Sequence, residues 1–190
     1  MRVLVAYASR YAATKGIAER VASTLRQQEI EATATPAQQA GDPAGYDAAV
    51  IGSAVYYFHW MKPAKDYVWR YSRTLGDRPV WLFSSGPLGT KATEEEDWEM
   101  RSASKPKQAP ELVEAVRPRD HRVFFGALDP DKLTVTERSL RKLPAARAAL
   151  QEGDFRDWAE IDEWATSIAA ALTEPGTASL EPDERRGATP

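Results

Sequence analysis

Two hydrophobic patterns alternate along the chain. Short, nearly continuous apolar runs are separated by longer segments in which apolar residues return every three or four positions. Four runs are of the first kind: "RVLVAYAS" from Arg2, "YDAAVIGSAVYY" from Tyr46, "PVWLFSS" from Pro79 and "HRVFFGAL" from His121. Their branched and aromatic content predicts strands covered on both faces, as in a parallel sheet. A fifth run, "IEATATPA" from Ile30, is more polar and predicts a strand nearer an edge. Among the helical segments, the first carries Ile17, Val21, Ala22 and Leu25 on one stripe behind Thr14 as N-cap. The second runs from Pro63 to Leu75, with Pro63 in its first turn and Val68, Tyr71 and Leu75 at helical spacing. The last opens on Asp157 and Glu160, spaced as in a capping box, and places Trp158, Ile161, Trp164, Ile168 and Leu172 on one stripe. From Thr173 the periodicity stops in "TEPGTASLEPDERRGATP". One domain is therefore predicted over residues 1–173, and a disordered tail over 174–190.

Strands alternating with helices pair in parallel through right-handed crossovers, so their C-terminal ends share one edge. The predicted fold is α/β: a doubly wound five-stranded parallel sheet, order 2-1-3-4-5, with helices on both faces. A switch between the first and third strands sets the turn "ASRYAAT" beside "GSAVYYFHW", with "SSGPLG" after the fourth strand close by. Three loops then converge at the edge where ligands bind in such sheets.

Composition removes several kinds of chemistry. With 190 residues and 43% hydrophobic content the chain can bury one substantial core. No apolar run is long enough to span a bilayer, and "MRVLVAYASR" lacks the order of a signal peptide, which predicts a cytoplasmic protein. The absence of cysteine excludes disulfides, thiolate metal sites and cysteine nucleophiles, and two histidines, His59 and His121, offer little for an imidazole metal site. No metal is predicted. A net charge of -3 gives no footprint for nucleic acid.

The three loops differ in what they offer. The first, Ser9, Arg10, Tyr11, Ala12, Ala13 and Thr14, combines hydroxyls, small side chains and the exposed N–H groups of a helix start, which suits a phosphate. Thr14 serves equally as a plain cap. At the second, "YYFHW" follows Ser53, Ala54 and Val55, and five consecutive flat side chains cannot all face inward from a regular strand. One or two rings, with Tyr56 and Tyr57 among the candidates, are available to stack on a planar ligand; the alternative is that these aromatics belong to the core or shelter a neighbouring helix. The third loop, Ser84, Ser85, Gly86, Pro87, Leu88 and Gly89, supplies hydroxyls and glycines for tight backbone, or is a plain connection. The acidic run "TEEEDWEM" from Thr93 reads as a solvated helix, with a lid or docking surface as the alternative.

A phosphate cradle, aromatic walls and a glycine loop at one sheet edge describe a site for a planar phosphorylated cofactor, and FMN fits best. Here the sequence resembles the flavodoxin-like family, in which a hydroxyl-rich turn after the first strand holds the FMN phosphate and the next two loops flank the isoalloxazine. Within it, "SRYAAT", "VIGSAVYYFHW", "FFGALDP" and "DFRDWAEIDEWATSIA" resemble the menaquinone-dependent protoporphyrinogen IX dehydrogenase group. The family's usual loop glycine is here Ala12, and the segment after "GALD" is only mildly amphipathic. Competing uses of the fold lack their residues. A receiver domain needs acidic residues where Ala8-Ser9-Arg10 and Gly52-Ser53-Ala54 stand, and the P-loop, dinucleotide and "GxSxG" motifs do not occur.

The resemblance implies an FMN-dependent oxidoreductase or electron carrier in which the flavin does the redox chemistry, so no catalytic side chain is assigned. The alternative is a non-redox binding module on the same fold. The expected partner is a small-molecule or protein redox partner, with a homodimer also open to the chain. Basic residues interleaved with leucines from Lys132 to Arg147 allow peripheral membrane contact at most, because Pro144 interrupts the period.

Overall fold

A computed structural model describes residues 1–86, 88, 93–140 and 151–174; the expected tail beyond Glu174, Pro87, Gly89 and the end of the Lys132–Arg147 segment lie outside them. The strands are β1 (Arg2–Ala8), β2 (Glu31–Pro36), β3 (Ala48–Tyr56), β4 (His59–Trp60), β5 (Val80–Ser85), β6 (Asp120–Phe124), β7 (Ala127–Leu128) and β8 (Gly153–Asp154). The helices are α1 (Ala13–Gln27), α2 (Lys62–Arg70), α3 (Ser72–Gly76), α4 (Glu94–Ala103), α5 (Ala109–Val116), α6 (Val135–Leu140) and α7 (Trp158–Thr173). The five long strands pair in parallel in the order β2-β1-β3-β5-β6, the expected doubly wound arrangement with the polar strand at one edge.

The side-chain period of two explains why β1 and its neighbours are apolar throughout. Val3, Val5 and Tyr7 face α1 and α7, in a core with Ile17, Val21, Leu25, Phe83, Phe124, Ile161, Trp164 and Ile168. Leu4, Ala6 and Ala8 face the other way, toward Trp60, Val68, Leu75 and Leu112 from β4, α2, α3 and α5. Burying each large aliphatic side chain contributes about 1.5–3 kcal/mol, so a strand covered on both faces gains at nearly every residue. Gly52 lies at the centre of β3, opposite Phe83 of β5. A Cβ there would sit 1.9 Å from the Phe83 ring, so the ring fits only because the glycine has no side chain.

Several expected boundaries shift. The Pro63–Leu75 helix is broken at Tyr71 (φ -113°, ψ 20°) into α2 and α3. The last predicted strand divides at Phe125-Gly126 into β6 and β7, and β7 pairs antiparallel with β8. Two short strands, β4 and β8, were not anticipated, because two-residue strands carry no periodicity to read. Thr14 is not the cap of α1: that position is Ala12, in left-handed conformation with no side-chain cap bond, and Thr14 is buried as the second residue of the helix. The Asp157 cap is present, accepting from the N–H groups of Ala159 and Glu160. Glu160 instead turns its carboxylate to Arg101. Trp158 leaves the apolar stripe and lies in the surface, its ring under the guanidinium of Arg156.

Candidate functional site at the sheet edge

The three loops meet. The Tyr11 ring packs edge-on against Tyr56 with centroids 6.4 Å apart, joining the turn after β1 to the end of β3. Gly86 approaches Val55 so closely that a Cβ on it would lie 3.2 Å from the Val55 Cβ, joining the ends of β3 and β5. The position of a Gly126 Cβ lies 3.6 Å from both Ser85 Oγ and the Leu88 side chain, which adds the β6–β7 turn to the row.

In the first loop the backbone does what glycine usually does. Ala12 has φ 69°, a left-handed conformation that costs an L-residue roughly 1–2 kcal/mol. The turn thereby brings the chain into α1 with no side-chain cap on its first N–H groups. The first turn of α1 contains no acidic residue, although its positive dipole end would favour one. Ser9 Oγ is, among the described residues, the buried side-chain polar atom without a hydrogen-bond partner. A buried hydroxyl left unpaired costs about 1–3 kcal/mol, so the turn is arranged for a group that accepts or donates hydrogen bonds there. Small side chains, N–H groups without a side-chain cap and a waiting hydroxyl fit a phosphate. Arg10 stacks on Tyr11, its guanidinium 5.1 Å from the ring centroid.

In the second loop, Tyr57 and Phe58 form the two-residue turn between β3 and β4, with φ 50° and 65°. Positive φ at both central residues is the type I′ pattern, usually filled by Asn-Gly, and two aromatics there are strained. The consequence is that Tyr57 is 89% exposed and Phe58 53%, beside the row of loop ends. Phe58 O accepts from Lys107 N at 2.8 Å, and Gln108 Oε1 accepts from Trp60 N at 3.3 Å, so the hairpin is tied down from behind. Trp60 is buried, the core member of "YYFHW".

Ser53 and Ser84 have fully buried side chains. Ser53 Oγ donates to Ala54 O and accepts from Met61 N. Ser84 Oγ accepts from Trp60 Nε1 at 2.8 Å and lies 2.9 Å from His121 Nε2. These hydroxyls brace the loops from within, and any ligand contact from the two residues falls to their backbone. The Ser84–His121 pair was not legible in the sequence, because two adjacent strands bring together residues 37 positions apart. Burial, reinforced by Lys105, pulls the His121 pKa down to about 4. The Trp60 ring packs edge-on against His121 with centroids 6.0 Å apart. Ala54 and Ser85 are likewise buried, whereas Val55, Tyr56, Gly86 and Leu88 are half-buried along the edge.

A cleft of ≈ 370 Å³ adjoins the first loop, between Tyr11, Ala12 and Ala13 on one side and the β7–β8 pair on the other. Lys132 and Arg156 line it with Asp129, Glu152 and Asp154. Arg156 is held by Asp154 through Nε and Nη2, at 2.7 and 2.6 Å, and the guanidinium keeps the Asp154 carboxyl below the usual carboxylate range. Sequence reading missed Arg156. "DFRDW" is quoted in the stretch that resembles the family, but nothing in its pattern shows that it returns to the first helix.

Among the described residues no cluster of ligating side chains could hold a metal, and no helix is long and apolar enough to cross a membrane. The family model for the flavodoxin domain matches residues 4–149. A protoporphyrinogen IX dehydrogenase [quinone] of Escherichia coli strain K12 is 23% identical over 184 residues, covering 92% of this chain and 98% of that protein. The oxidised flavodoxin 1 of Bacillus cereus superposes with a TM-score of 0.51 at 11% identity, over 91% of this chain and 100% of the other. The rubredoxin oxygen:oxidoreductase of Desulfovibrio gigas superposes with a TM-score of 0.57 at 12% identity, over 90% of this chain and 36% of that one. With three-quarters of its length matched and the sheet order the same, the chain belongs to the flavodoxin domain family, whose cofactor is FMN.

Proposed function

We propose that the protein is an FMN-dependent oxidoreductase or electron carrier. Ser9, Arg10, Tyr11, Ala12, Ala13 and Thr14 hold the flavin phosphate, and residues 53–57 with Ser85, Gly86, Pro87, Leu88 and Gly89 flank the ring system. The observation that carries this reading is the unpartnered buried Ser9 Oγ in a turn whose left-handed Ala12 opens onto the start of α1. When bound, FMN supplies the redox chemistry. The chain's own part is to bind and orient. The turn after β1 meets the phosphate with N–H groups, Tyr11 and Tyr56 form one wall, and the Tyr57–Phe58 turn keeps aromatic surface at the rim of the site. No side chain is assigned as acid or base.

The test is the purified protein itself. A yellow preparation with flavin absorbance, or apo-protein that quenches FMN fluorescence on titration, is expected. FMN is expected to bind more tightly than FAD, because no second nucleotide-binding fingerprint accompanies the phosphate turn. A colourless protein that cannot be reconstituted would overturn the reading in favour of a non-redox binding module, which the alanine in place of the usual loop glycine favours.

The finer activity rests on the relative named as a quinone-linked protoporphyrinogen IX dehydrogenase. We infer an electron exchange of that kind, with a small molecule or protein as partner, in the cytoplasm and with membrane contact at most peripheral. Its assay is protoporphyrinogen as donor with a menaquinone analogue as acceptor. Turnover supports the finer activity, and its absence leaves a flavin redox protein serving another partner.

A further inference from the structure

The flavin site includes a residue from the far end of the chain. We propose that Arg156, between β8 and α7, is the phosphate-side cation of the site and makes it select a phosphorylated flavin over an unphosphorylated one. The inference rests on the FMN reading above and adds a specificity-determining residue to it.

Four observations converge. Arg156 Nη1 lies 3.3 Å from the carbonyl oxygen of Ala13, in the first turn of α1, so the guanidinium sits against the phosphate turn although 143 residues separate the two. It is held rigidly. Asp154 takes Nε and Nη2, and the Trp158 ring lies flat beneath it at 4.4 Å. Among the described residues these bonds engage Nε once and each terminal nitrogen once, which leaves one N–H on each terminal nitrogen of the fork. The third observation is Gly16: a Cβ there would lie 2.5 Å from Nη1 and 3.7 Å from the Trp158 ring. A glycine inside a helix weakens it, and this one stands where the guanidinium crosses α1.

The fourth is electrostatic. The start of α1 carries the positive end of the helix dipole, has no acidic residue in its first turn, and is met by Arg156 at Ala13. Arg156 and Ala12–Ala13 line the same cleft, so a phosphate on the turn lies within reach of the fork from the side. Arginine suits this role because its planar donors match phosphate oxygens in pairs, which lysine cannot reproduce.

The experiment titrates apo-protein with FMN and with riboflavin by fluorescence quenching, using wild type, Arg156→Gln, Arg156→Lys and Gly16→Ala. Arg156→Gln should weaken FMN by about tenfold or more, the range for a lost hydrogen bond to a charged group, and leave riboflavin unchanged. Arg156→Lys should fall between. Gly16→Ala keeps the charge and improves helix propensity, yet should weaken FMN by displacing the fork. Equal weakening of both flavins would reduce Arg156 to a structural brace and overturn the inference, as would unchanged FMN affinity in Arg156→Gln. A wild-type protein that binds neither flavin would overturn the FMN reading instead. Inorganic phosphate then decides the role of Arg156: a rise in melting temperature lost in Arg156→Gln supports it, and no rise, or one that survives, refutes it.

Discussion

At Ser9 the fold holds a hydroxyl that it does not itself use. Ser9→Ala should therefore leave the apo-protein as stable as before or slightly more so, while weakening FMN by about 1–3 kcal/mol. Melting curves with and without FMN separate the two effects, and equal loss in both would return Ser9 to the scaffold. Ala12 tests the same turn from the backbone. Ala12→Gly removes a left-handed alanine and should raise the melting temperature by about 2–4 °C for each kcal/mol relieved. The identity of the turn was legible because hydroxylated and small residues follow a strand and precede a helix. Its conformation was not, since Thr14 has the chemistry of a cap and only the backbone angles show Ala12 in that place.

Among elements, the contact between β5 and β6 ties stability to pH. The ring of His121 is half-enclosed by Ser84, Trp60 and Lys105, with Asp120 beside it, and protonates only near pH 4 when folded. The unfolded chain takes up that proton near the ordinary value of 6.5. Stability is therefore complete above pH 6.5 and falls as pH drops from 6.5 toward 4, by at most about 1.4 kcal/mol per pH unit. His121→Gln should flatten this slope in urea unfolding at pH 7 and pH 5; a slope that persists would place the titration elsewhere. Asp154 and Asp162, held down by Arg156 and Arg20, lose their contributions below that window. In the centre of the sheet, Gly52→Ala should destabilise by about 1–3 kcal/mol or more, because the Phe83 ring occupies the place of the new methyl. The long strands and helices were readable from their periods. The breaks at Tyr71 and at Phe125-Gly126 were not, because the helical spacing of Val68, Tyr71 and Leu75 continues across the first and the apolar run from Val123 to Leu128 across the second, with no proline to mark either.

For the molecule as a whole, two layers of helices on one parallel sheet place the described candidate ligand residues at a single rim. Binding there should stabilise the entire domain. FMN at a hundred times its dissociation constant is expected to add about 2.7 kcal/mol, visible as a concentration-dependent rise in melting temperature that riboflavin reproduces less well. What could not be read from sequence at this scale is the return of the chain's end to its beginning. α7 lies against α1, with Asp162 receiving Arg20 and Thr24, while Trp164 Nε1 donates to Asp120. That closure governs how the protein emerges from the ribosome. Val3 and Val5 are made first and lie in the middle of the sheet, yet Ile161, Trp164 and Ile168, which cover them together with Ile17, Val21 and Leu25 of α1, are made long after. A nascent chain can pair its early strands and pack α1 on them, but the part of that face covered by α7 stays open until Trp158–Thr173 has been made. Emergence of α7, rather than synthesis of the sheet, is then the step that completes this core, and stalled chains ending before Trp158 should be more sensitive to protease than stalled chains that include the whole of α7.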